Sequence, residues 1–128
     1  MIPGSKSAHP TFKRSFLFAM QGFRYAVRTE RNIKVMLVGA VCTLLGGAVV
    51  RLDAISWAIV VLCCAVVISA ELVNTAVETI VDLVSPEYHP LAGHAKDIAA
   101  AAVYVLSMLV GVVGLIVFGY AIWRRWFS

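Results

Sequence analysis

The sequence predicts an all-α integral membrane protein, with three spanning helices preceded by an amphipathic helix on the bilayer surface. Three observations carry this. The chain of 128 residues is 61% hydrophobic and 14% charged, against roughly 45–50% and about 25% in an average soluble domain. Its apolar residues gather into runs long enough to cross hydrocarbon. Its charges flank those runs, so the net charge of +4 does not form the dense patch that nucleic acid would need. The length fits one domain. Cys42, Cys63 and Cys64 lie inside apolar runs. With no metal spacing and no paired framework, they are expected to be small apolar packers. The first apolar run starts too far into the chain for a cleavable signal peptide.

Residues 1–10 hold Pro3, Gly4, Ser5, Ser7 and Pro10 without periodicity and are expected to be mobile. From Thr11 to Arg31, Phe12, Phe16, Ala19, Phe23, Ala26 and Val27 recur at helical spacing. Lys13, Arg14, Gln21, Arg24, Arg28 and Arg31 take the polar positions, which gives a basic helix lying on the membrane. The first span is expected over 33–50, about 27 Å at helical rise, with Lys34 snorkelling to the surface. Arg51-Leu52-Asp53 is a tight turn. The second helix is predicted over 54–84, with Trp57 at the interface. It is about 46 Å long, so its last turns leave the bilayer. Two prolines and a glycine make 85–94 a loop. Lys96-Asp97 then opens a third span over 98–122. Gly111, Gly114 and Gly119 are expected to permit close helix approach, and Trp123-Arg124-Arg125-Trp126 to anchor the end at the interface.

Eight of the 11 Lys and Arg lie in the N-terminal segment, at Lys34 and at Lys96. The positive-inside bias therefore places the N-terminus and the 85–97 loop in the cytoplasm. Three spans can hardly enclose a polar site, so oligomerisation is expected.

The chain is organised around the second helix. Glu71, Asn74, Glu78 and Asp82 fall within a stripe roughly 80° wide at about 100° per residue. Three carboxylates and an amide thus leave the bilayer along one face. Like charges on one face repel, and a carboxylate near hydrocarbon is costly. A divalent cation with a phosphorylated ligand would compensate. A helix end solvated by headgroups explains Asp82 and Glu78, but Glu71 less well. G-x-x-x-x-G-K-[ST], H-E-x-x-H and G-x-S-x-G are all absent. A non-enzymatic helical bundle, either a transporter subunit or a proton path, would need polar residues on several helices at midplane. Here they cluster at one surface.

The run from Glu71 to Asp82, E-x-x-N-x-x-x-E-x-x-x-D, is followed by Glu87-Tyr88-His89 and Ala95-Lys96-Asp97. Together these closely resemble the signature of the prokaryotic diacylglycerol kinase family, which includes small undecaprenol kinases. The likeness runs from the surface helix through Glu30-Arg31-Asn32 to the third span. It implies a homotrimer of three-span protomers in the bacterial inner membrane and an ATP- and Mg²⁺-dependent lipid kinase. The family's general base falls on Glu71 and its metal carboxylates on Glu30 and Glu78. Its nucleotide contacts fall on Glu87, Tyr88, His89, Lys96 and Asp97, with Asn74 and Asp82 lining the same site. Glu30-Arg31-Asn32, Asn74-Thr75-Ala76 and His89-Pro90-Leu91 look more like the undecaprenol branch than the diacylglycerol branch, which is the alternative. The chain departs from the diacylglycerol kinases at Phe18, where they carry an aromatic hydroxyl, and at Met36, where they carry a second acid. An upstream arginine is out of register, with Lys13 or Arg14 nearby.

The residue types suit the chemistry. Phosphoryl transfer needs positioning, charge neutralisation and an oriented nucleophile. Mg²⁺ takes carboxylate, phosphate and water oxygens, which Glu30 and Glu78 would supply in part. Lys96 would neutralise phosphate charge. Asp97 would orient Lys96 or a nucleotide hydroxyl. Glu71 stands about 10 Å deeper than Glu78, at the depth of a lipid hydroxyl. Asn74 would hold the base or a phosphate oxygen.

Overall fold

The structure is a computed structural model and describes residues 11–128. The expected mobile segment, 1–10, lies outside the described residues. The described chain forms four helices, α1 Phe12–Thr29, α2 Arg31–Val50, α3 Ala54–Val84 and α4 Pro90–Trp126. The last three are long and apolar enough to cross a membrane, so this is a multi-pass membrane protein.

The amphipathic α1 stops where the pattern changes. Glu30 is extended (φ −106°, ψ 125°), and its N–H still closes the last turn on the Ala26 carbonyl at 2.8 Å. One residue later α2 begins. Of α1 only Ala26 is buried; Phe12, Phe16, Phe18 and Tyr25 are exposed, as a helix dipping its aromatic face into headgroups requires.

The α2–α3 turn is a Schellman close. The Arg51 N–H donates to the Ala48 carbonyl at 3.2 Å and the Leu52 N–H to the Gly47 carbonyl at 3.1 Å. Arg51 sits in the left-handed region (φ 55°) that glycine usually fills. Asp53 caps α3, its Oδ1 accepting from the Ser56 N–H at 2.8 Å. Its Oδ2 accepts from Arg124 Nη1 at 3.1 Å, which ties the start of α3 to the end of α4. Above this turn lies the core, where Val50, Leu52, Val60, Val117 and Ala121 pack with Trp57, Cys64, Val113 and Phe118. Trp57 therefore faces inward, half-buried against Gly47, rather than serving as a lipid-facing belt residue. The three cysteines are free; Cys64 packs on the core as expected, whereas Cys42 is exposed.

Three expectations are corrected. Helix α4 starts at Pro90, not near Lys96, so the loop is only Ser85–His89. Proline is compatible with a first helical turn because it needs no N–H partner there. His89 caps the end, with Nδ1 accepting from the Leu91 N–H at 3.2 Å. A Cβ added at Gly111, Gly114 or Gly119 would meet nothing within 4 Å. The close approach is instead at Gly46 and Gly47 on α2, where it would meet Phe118, Leu52 and Trp57. Helix α4 also continues past Ile122 to Trp126. There Tyr120 stacks on Trp123 with centroids 6.2 Å apart, and Arg125 lies 5.1 Å over the Trp126 ring.

Candidate active site

The stripe on α3 has the expected depth profile. Glu71 is 1% exposed and Asn74 6%, Glu78 is half-buried, and Asp82 is open to solvent. Hydroxyls along the adjoining face satisfy themselves locally. The Thr75 hydroxyl donates to the Glu71 carbonyl at 3.0 Å, and the Thr79 hydroxyl to the Thr75 carbonyl at 2.8 Å. That leaves the stripe's side chains for other work. Asn74 Nδ2 donates to Glu78 Oε1 at 3.2 Å.

Glu71, Asn74 and Glu78 form one wall of a cleft of about 320 Å³. Asn32 and Met36 of α2 and Val103, Tyr104 and Ser107 of α4 line the rest. A single chain therefore already buries the deepest carboxylate, while beyond it Glu78 is only half-buried and Asp82 stays open. The reason is that α3 packs against both α2 and α4, so its polar face lies in the groove between them. Asn32 and Ser107 are the polar contributors that sequence reasoning passed over. Asn32 lies just before the expected first span and Ser107 in a span that looks nearly free of polar groups, and only helix packing turns them toward α3.

A second hollow, of about 200 Å³, opens on the water side. It is lined by Asp82, Glu87, Tyr88, His89 and Lys96 among others. Lys96 Nζ lies 2.6 Å from Asp82 Oδ1, so the stripe ends on a cation. Tyr88 is 90% exposed. Ser85 Oγ donates to the Glu87 carbonyl at 3.0 Å, which shapes the short loop. Two expected site residues line neither hollow. Asp97 is exposed on α4. Glu30 sits half-buried at the α1–α2 junction, near enough to act electrostatically on Glu71.

Among the described residues no three His, Cys, Asp or Glu side chains gather into a complete metal site. The donor set nonetheless suits Mg²⁺, which takes one or two carboxylates and completes its shell with water and substrate phosphate. Glu78 offers a carboxylate held from one side by Asn74, and Asn74 Oδ1 is buried without a hydrogen-bond partner. A buried acceptor in that state needs a cation or a donor.

The chain matches known proteins over most of its length. The family model described as prokaryotic diacylglycerol kinase matches residues 17–118, which include every stripe and loop residue named above. The chain is 41% identical over 107 residues to the undecaprenol kinase of Bacillus subtilis, covering 84% of this chain and 87% of that protein. It is 38% identical over 106 residues to a diacylglycerol kinase of Synechocystis, covering 82% of this chain and 61% of that longer protein. Against a diacylglycerol kinase of Helicobacter pylori the identity is 29% over 124 residues, covering 97% and 89%. A match spanning most of the chain, with a carboxylate stripe running from a buried cleft to a lysine-capped hollow, places this protein in the prokaryotic diacylglycerol kinase family.

Proposed function

We propose that this chain is a Mg²⁺- and ATP-dependent kinase that phosphorylates a membrane lipid alcohol, with undecaprenol as the acceptor. The observation that carries the proposal is the burial gradient along one face of α3, from Glu71 inside the cleft to Asp82 beside Lys96 in water. A greasy alcohol and a water-soluble phosphate donor need a site with both ends. Glu71, deep in the cleft, takes the proton from the lipid hydroxyl as general base. Asn74 holds Glu78 in place. Lys96, with Glu87, Tyr88 and His89 around the outer hollow, receives the nucleotide, and Asp82 and Asp97 orient it. Glu78 and Asn74 Oδ1, with Glu30 from the junction, would hold Mg²⁺, which when bound neutralises charge on the phosphates. Phosphoryl transfer asks the protein chiefly to position and to neutralise, and this set of residues does both.

The acceptor follows from the likeness to the Bacillus subtilis protein and from the motifs 30–32, 74–76 and 89–91. Diacylglycerol is the second reading, supported by the names of the other relatives. The chain works as a homotrimer in the bacterial inner membrane, with α1 and the Ser85–His89 loop on the cytoplasmic side where ATP is found. The lysine and arginine bias supports that orientation. Protein purified in detergent micelles should consume Mg·ATP only when a lipid alcohol is present, with undecaprenol outpacing diacylglycerol. Hydrolysis independent of lipid, or no transfer to either alcohol, refutes the kinase reading. Faster transfer to diacylglycerol reverses the choice of acceptor.

A further inference from the structure

We propose that the hydroxyl of Ser107 is a hydrogen-bond donor reserved for an oxygen in the head of the lipid acceptor, on the cleft wall facing Glu71. The inference rests on the kinase reading above and adds to it a positioning residue on α4.

The four threonines within these helices turn their hydroxyls back on their own backbone. Thr29, Thr43, Thr75 and Thr79 each donate to the carbonyl four residues earlier, at 2.8 to 3.0 Å. Ser15, Ser56 and Ser69 make no such bond either, but among the described residues only the Ser107 hydroxyl is also buried. Its Oγ is buried and has no hydrogen-bond partner, although the Val103 carbonyl stands four residues back. A buried hydroxyl left in that state costs free energy, and it is retained where something else completes it.

Its depth says what that something is. Helices α3 and α4 are antiparallel neighbours, and the Asp82–Lys96 contact sets their register. Eleven residues further into the membrane along each helix, roughly 16 Å at helical rise, stand Glu71 and Ser107. The same register brings Val60 beside Val117 and Phe118 in the core. Ser107 is thus level with the proposed base, on the opposite wall of the same cleft. An alcohol placed between them donates its proton toward Glu71. Ser107 Oγ–H then donates either to that alcohol oxygen or to an ester carbonyl beside it. Only glycerolipids carry such an ester, whereas a polyprenol has the hydroxyl alone.

The test compares Ser107→Ala with the wild-type protein in mixed micelles, using undecaprenol and diacylglycerol in separate arms. The alanine variant should raise the lipid KM roughly threefold to tenfold, the loss of one hydrogen bond. The ATP KM should stay unchanged, and the thermal midpoint should hold or rise because a buried hydroxyl without a partner is removed. A rise in both arms assigns the donor to the reacting hydroxyl. A rise with diacylglycerol alone assigns it to the ester carbonyl. An unchanged lipid KM, an equal rise in the ATP KM, or a fall in the thermal midpoint each overturns the inference while leaving the kinase reading intact. If the wild-type protein phosphorylates neither lipid, the kinase reading itself fails and takes this inference with it.

Discussion

Replacing Glu71 by glutamine should stop phosphoryl transfer while leaving the helices in place. The side chain is 1% exposed, and glutamine has the same shape, so no cavity opens. What disappears is a group able to accept a proton. No neighbour on the stripe can substitute. Glu78 is seven residues away, about 10 Å along the helix, and Asp82 is about 16 Å away. A base must come within about 3 Å of the proton it takes. Loss of a positioned general base lowers turnover by about 10²- to 10⁴-fold, which is about 3–5 kcal/mol on the barrier. Glu71→Asp keeps the carboxylate but withdraws it by about one carbon–carbon bond, ~1.5 Å. A displacement of about 1 Å is enough to cost 10²-fold where reacting atoms must be aligned. The expected order is therefore wild type, then aspartate, then glutamine. The assay follows labelled γ-phosphate into the organic phase at saturating lipid, with circular dichroism confirming helix content. A glutamine variant that keeps more than about a tenth of the wild-type rate, with its helices intact, removes Glu71 from the base role.

Two predictions concern the opposite end of the molecule. A Cβ at Gly47 would lie 2.9 Å from Leu52 Cδ1 and 3.0 Å from Trp57 Cη2, so Gly47→Ala should cost about 1–3 kcal/mol through overpacking. Its thermal midpoint in micelles should fall while turnover per folded molecule holds, and a midpoint equal to wild type contradicts the packing account. Asp53 is held below its usual value of 3.8, first by the Ser56 backbone N–H, then by the Ser56 hydroxyl and by Arg124. Because the folded value is the lower one, its contribution is present above 3.8 and is lost as pH falls through the folded value. Asp53→Asn should lower stability at neutral pH and flatten the acid limb of a pH–stability profile. Parallel profiles for the two proteins contradict this.

Much of the fold is legible in the sequence because hydrocarbon is a severe solvent. It forces backbone hydrogen bonds inside each segment, so long apolar runs must be helices. Helix α3 follows its expected bounds, and α1 and α2 differ from theirs by two residues or fewer at either end. The start of α4 was misplaced because Pro90 looks like a breaker until His89 is seen capping it. At the site, the face shared by Glu71, Asn74, Glu78 and Asp82 follows from helical periodicity alone. So does its order of depth, since residues further along α3 stand further into water.

What periodicity does not carry is the relation between helices, because it fixes which residues share a face but not what that face meets. Only packing decided that Asn32 and Ser107 border the cleft with Glu71, and that Lys96 meets Asp82. Packing likewise joins Arg124 to Asp53, although 71 residues separate them in the chain. Each of those contacts depends on the register between two rods, and that register is set by where large side chains such as Trp57 and Phe118 find room beside Gly47 and Gly46.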